Sequence, residues 1–142
     1  MADTDASLAR FVDAQAPVWR EVLSELRAGH KATHWMWFVF PQLASLGRSA
    51  TAKFYGLQDG QAARAYIGHP LLGPRLIQCC EILLTHSNRA ARDIFGKVDA
   101  MKLRSCLTLF AEAAPEHPVF RAALQAFFDG ESDPLTLAPL KP

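Results

Sequence analysis

The chain has 142 residues, half of them apolar, and 15 basic against 14 acidic side chains for a net charge of +1. That length fits one domain with a substantial core. The balanced charge excludes a general polyanion-binding surface, because nucleic-acid binders usually carry a basic stripe.

No apolar run approaches the roughly 20 residues of a membrane span. The start, Met1-Ala2-Asp3-Thr4-Asp5, lacks the basic and apolar regions of a signal peptide. A cytoplasmic protein with neither a nucleic-acid nor a membrane partner is expected. Cys79, Cys80 and Cys106 show no CxxC spacing, and adjacent helical cysteines point about 100° apart. Reduced, buried thiols are the simplest reading.

Alanine (23) and leucine (18) outnumber valine, isoleucine and threonine together (16), which favours helix over sheet. In chain order, Ser7 is read as a cap for a stripe of Leu8, Phe11 and Val12. Pro17 suits the first turn of a second helix, in which Val18, Val22 and Leu26 recur until Gly29 stops it. The aromatic run is a short helix from about Thr33, ended by Pro41. Ser49 caps Ala50 to Tyr55, and Asp59 caps Gln61 to Ile67. The longest helix is expected from about Leu72 to Thr85. Ser87 or Asn88 begins a segment ending at Phe95-Gly96, Asp99 caps Ala100 to Ala113, and Pro118 opens a helix to Gly130. These add up to an all-α chain, one compact multi-helix globular domain over residues 1–142. Residues 1–6 are expected to be flexible and 131–142 to form a C-terminal apolar strap.

Three polar-plus-apolar clusters could carry chemistry. The first is His34-Trp35-Met36-Trp37-Phe38-Val39-Phe40-Pro41-Gln42. Its histidine could be a general base, an anion ligand, or a core residue with one hydrogen bond. The second is His69-Pro70-Leu71-Leu72-Gly73-Pro74-Arg75, a stiff turn feeding a helix. Free amide groups and the Arg75 fork would suit a phosphate or carboxylate there. Alternatively, Arg75 pairs with an acidic side chain and His69 caps the preceding helix. In the third, Asp99 to Phe110, Asp99 and Lys102 can pair across one turn. Lys102 and Ser105 share a face, as a lysine-activated hydroxyl would require, although solvated charges and packing hydroxyls produce the same spacing. Lys102 could also lower the Cys106 thiol, against the commoner buried, inert cysteine. Only His30 and His34 have a ligand-like spacing, and Gly29 ends the helix before them, so neither a metal nor a cofactor is expected.

Together these three motifs resemble a mainly bacterial family of unknown function whose members sometimes carry the label calpastatin. The resemblance spans Leu8-Ala9-Arg10-Phe11 to Phe128-Asp129-Gly130 and implies a compact all-α fold. The family's third motif usually has two serines where this chain has Ser105-Cys106, which leaves Ser105 the better hydroxyl candidate. A calpain inhibitor of the calpastatin kind is a long disordered chain, unlike this short, core-rich sequence.

Two functions compete. In the first, the motifs converge on a pocket that binds, and could hydrolyse, a small anionic, nucleotide-like metabolite. Trp35 or Trp37 would stack on a ring, Arg75 would hold the anion, and His34 or His69 would serve as acid–base. Lys102 and Ser105 complete the catalytic candidates, and Gln42 and Asp99 the binding ones. In the second, the motifs only fix the fold, and a protein partner is met through Phe127, Phe128 and the Leu135–Leu137 strap.

Overall fold

Helices account for nearly all the regular structure in the computed structural model, which describes residues 5–140, with side chains from Leu8 onward. They are α1 (Asp5–Gln15), α2 (Trp19–Ala28), α3 (Met36–Val39), α4 (Ala50–Phe54), α5 (Gly60–Gly68), α6 (Leu72–Leu84), α7 (Ala91–Phe95), α8 (Lys97–Ala113), α9 (Val119–Phe128) and α10 (Pro134–Leu140). The expectation for residues 1–4, and for 141 and 142, lies outside the described residues. Asp5 and Ala6 already belong to α1, so Ser7 sits within that helix and does not precede it. No described helix is long and apolar enough to cross a membrane.

Two caps behave as their residue types dictate. Ser49 Oγ accepts the Ala52 N–H at 3.1 Å and Asp59 Oδ1 accepts the Ala62 N–H at 2.9 Å. Pro17 falls in a 3-10 turn, Ala16–Val18, that leads into α2. Gly29 ends α2 at φ 71°, a left-handed turn that glycine adopts without steric cost.

Other expectations need correction. The longest helix is α8, with 17 residues, against 13 for α6. Asp99 does not cap α8. Gly96, at φ 82°, makes the turn into the helix, and Asp99 lies in the first turn with its side chain paired to Lys31. The segment expected from Ser87 starts later, at Ala91. The tail is a helix, α10, opened by Asp133, whose carbonyl accepts the Thr136 and Leu137 N–H groups at 3.1 Å. Of the proposed docking group, Leu135 is exposed, while Phe127 and Phe128 pack half-buried against the core.

Helix α8 runs through the middle, against α5, α7, α9 and α10, and α6 packs on α2, α5 and α9. Nine residues of α8 are buried. The helices α5 and α6 meet so closely that a Cβ on Gly73 would overlap the Ile67 carbonyl oxygen. A single parallel bridge among the described residues pairs Leu43 with Leu57. Leu57 N–H donates to the Gln42 carbonyl at 2.9 Å and Ala44 N–H to that of Leu57 at 2.8 Å, which fixes the chain after the aromatic helix.

Candidate functional site

The aromatic helix is placed by a carboxylate. Glu25, buried near the end of α2, accepts four hydrogen bonds. Its Oε1 takes the Ala32 N–H (2.7 Å), the Thr33 N–H (3.0 Å) and Trp35 Nε1 (2.9 Å), and its Oε2 takes the Thr33 hydroxyl (2.6 Å). Burial alone would raise this carboxyl. The bonds from the Thr33 hydroxyl, the two backbone groups and the Trp35 indole outweigh it and hold the group below its ordinary range. Residues 32 and 33 give their N–H groups to Glu25, and the backbone turns helical only at Met36, so α3 is shorter than the apolar run suggests.

Successive aromatic side chains then diverge. Trp35, 1% exposed, enters the core beside Phe40 and Phe95. Phe38 packs on Tyr55 on another side. Trp37 is only partly buried, with Lys102 Nζ 5.2 Å from its ring centroid.

Lys102 belongs to a small charge cluster. Lys31, its side chain only 6% exposed, brings Nζ to 2.8 Å from Asp99 Oδ2 and donates to the Thr33 carbonyl. Asp99 Oδ1 lies 3.7 Å from Lys102 Nζ, a looser contact. The buried lysine therefore holds the carboxylate more closely, and Lys102, with the looser contact to Asp99, also lines the cavities around it.

A groove surrounds that point. One lobe, of about 440 Å³, lies between Lys31, His34, Trp37, Lys97 and Lys102. A second, of about 500 Å³, lies between Trp37, Gln42, Arg48, Met101, Ser105 and Leu135. A crevice beside Tyr55 adjoins them. Trp37 and Lys102 line all three. Five basic side chains line the two lobes (Lys31, Arg48, Lys97, Lys102 and Arg104) against two carboxylates, Asp99 and Asp133. For a chain of net charge +1 this is a local concentration of positive charge. His34 is exposed at the mouth of the first lobe.

The far wall comes from the C-terminal segment. Asp129 (φ 54°) and Gly130 (φ 76°) turn the chain out of α9. Arg104 then grips the Glu131 and Ser132 carbonyls at 2.9 and 2.8 Å, and the Asp133 N–H donates to Thr108 Oγ1 at 2.9 Å. Asp133 Oδ2 accepts from Ser105 Oγ (2.8 Å) and Thr136 Oγ1 (2.6 Å). Ser105 thus anchors α10, and Lys102 Nζ points to Asp99 instead of activating that hydroxyl.

The first and third motifs therefore meet, with His34, Trp37, Gln42, Asp99, Lys102 and Ser105 around one groove. Trp35, His69 and Arg75 lie elsewhere. His69 closes the preceding helix, α5, with its N–H donating to the Tyr66 carbonyl at 3.1 Å, and its Nδ1 also accepts the Leu71 and Leu72 N–H groups at 3.1 and 3.2 Å at the start of α6, where an anion would sit. Arg75 stacks on Trp19 at 4.5 Å and donates to Gln15 Oε1 at 3.2 Å, a neutral partner where a carboxylate was the alternative. The thiols are all buried. Burial pushes Cys79 up to about 12 and raises Cys80 and Cys106 well above the ordinary range, which argues against Lys102 activating Cys106. No group of three or more metal-ligating side chains occurs among the described residues. Sequence reasoning missed Glu25, Lys31, Arg48 and Asp133, which stand in no recognisable spacing and become visible only as partners.

The chain is similar along almost its whole length to a solved structure, the crystal structure of the conserved hypothetical protein Rv1873 from Mycobacterium tuberculosis. The two share 49% identity at a TM-score of 0.92, over 94% of this chain and 95% of that one. No curated protein matches. A family model described as "Protein of unknown function (DUF1810)" matches residues 5–140, and the chain belongs to that family.

Proposed function

We propose that the groove binds a small organic anion, with Lys102 at its centre. The observation that carries this reading is the meeting of all three cavities at Lys102 and Trp37, in a region where basic side chains outnumber acidic ones. Asp99 is held more closely by Lys31 (2.8 Å) than by Lys102 (3.7 Å), and Asp133 is bonded to Ser105 and Thr136, so Lys102 has only one loose carboxylate contact to exchange for an incoming anion. His34 stands at the mouth to donate a hydrogen bond. Binding is favoured over hydrolysis, because the carboxylate bonded to Ser105, Asp133, also accepts from Thr136 Oγ1 and the Leu135 N–H and is taken up in anchoring α10.

The test is a thermal-shift titration with inorganic phosphate, pyrophosphate, small carboxylates and nucleotides. An anion at a hundred times its dissociation constant should stabilise the fold by about 2.7 kcal/mol. Lys102→Met should abolish the shift while leaving the unliganded melting temperature unchanged. A panel without any shift, or a shift that survives Lys102→Met, would overturn the proposal.

A second reading is supported by one observation. Val98, Met101 and Leu135 are 66%, 65% and 69% exposed, and all three line the groove. Exposed apolar side chains gathered in one place suit a protein partner. A pull-down that captures one partner with the native chain and loses it with Met101→Ser would favour this reading.

A further inference from the structure

We infer that the occupant of the groove is a nucleoside phosphate, its phosphates in the lysine lobe and its base in the lobe walled by Trp37, Met101 and Leu135. This rests on the anion-binding reading above and names the ligand class.

The two lobes are unlike. Around the first stand Lys31, Lys97, Lys102 and His34, with Asp99 already neutralised by Lys31. Lysine is a compact point charge with three donors and suits phosphate oxygens in several orientations. The second lobe presents apolar surface from Trp37, Leu46, Met101 and Leu135 beside the Gln42 amide and Arg48, while its Arg104 and Asp133 are already bonded to the C-terminal segment. An alkyl chain there would bury the Gln42 and Arg48 polar groups without giving them partners, which costs free energy. A heteroaromatic base has faces to lie on apolar side chains and edges that hydrogen-bond, so it meets both kinds of lining. Each lobe falls within the range of about 300–1,000 Å³ typical of small-molecule sites.

The lobes are also neighbours. Trp37, Val98 and Lys102 line both, so a molecule with one end in each would lie against the same three side chains. A free anion would use only the first lobe and leave Met101 and Leu135 in water. A ligand with two unlike ends accounts for both the basic cluster and the exposed apolar rim beside it.

Calorimetric titration of the full chain with pyrophosphate, the four common ribonucleoside diphosphates and octyl phosphate tests this. At least one nucleoside diphosphate should bind about tenfold or more tighter than pyrophosphate, a gain of about 1.4 kcal/mol. Met101→Ser and Leu135→Ser, at two strongly exposed positions, should remove that gain and leave pyrophosphate affinity unchanged. Nucleoside diphosphates no tighter than pyrophosphate would overturn the inference and leave the anion reading intact. So would octyl phosphate binding more tightly than any of them, or a gain that persists in both variants. No binding by any of these anions would overturn both readings.

Discussion

Replacing Glu25 by glutamine keeps the shape of a buried side chain and removes its charge. Three donors converge on Oε1, which a glutamine carbonyl oxygen can replace, while its amide meets Thr33 Oγ1 and forces that hydroxyl to turn and accept. Hydrogen bonds to a charged group contribute about 1.5–3 kcal/mol and neutral ones about 0.5–1.5. Three weakened bonds therefore forgo roughly 3 kcal/mol, and the easier burial of an amide returns part of it. A net loss of about 2 kcal/mol is expected. Glu25→Ala also strands the buried Trp35 Nε1, so about 3–5 kcal/mol is expected there. Urea unfolding followed by tryptophan fluorescence measures both. The pH dependence supplies an independent check. The folded carboxyl lies below its ordinary value of 4.5, so the native state binds this proton more weakly than the unfolded chain. The stability it contributes is fully present above that value and is lost as pH falls through the folded one. The gap between wild type and Glu25→Gln should narrow below about pH 4.5. An unchanged urea midpoint in Glu25→Gln at neutral pH would refute the argument.

Lys31→Met should cost about 3 kcal/mol, since it leaves Asp99 without its buried partner. Lys102→Met should cost less than about 0.5 kcal/mol, because its contact with Asp99 is looser and wetter; the two denaturation midpoints give the comparison. Gly73→Ala should destabilise by about 2–3 kcal/mol, read as a lowered melting temperature, by forcing α5 and α6 apart at the Ile67 carbonyl. Under native conditions at neutral pH the three cysteines should resist a thiol-specific colorimetric reagent, and all three should react in denaturant; rapid labelling of one in the native state would contradict their burial.

The helical character of the chain was legible because leucine and alanine recur with helical spacing, and because Ser49 and Asp59 are caps whose side chains act locally. Boundaries failed where a distant group intervened. The run from His34 to Pro41 carries enough apolar surface for a longer helix, yet the chain before Met36 is held in a non-helical path by Glu25, eight residues before Thr33. Asp99 has the composition of a cap, and Lys31 diverts it. The same reason limited the site. Trp37 and Lys102 stand inside motifs and could be singled out, whereas Lys31 and Asp133 have no local signature. His69 and Arg75 have the right chemistry for an anion, but their neighbours in the fold already use it.

The burial of Lys31 separates two electrostatic roles within one cluster. Dissolved ions screen exposed charges over a Debye length of about 10 Å at 0.1 M and reach dry pairs far less. Raising ionic strength should therefore weaken the pull of Lys97 and Lys102 on an approaching anion while the Lys31–Asp99 pair keeps the aromatic helix in register with α8. Salt then acts as a dial on occupancy alone, and the scaffold stays put while the attraction is turned down.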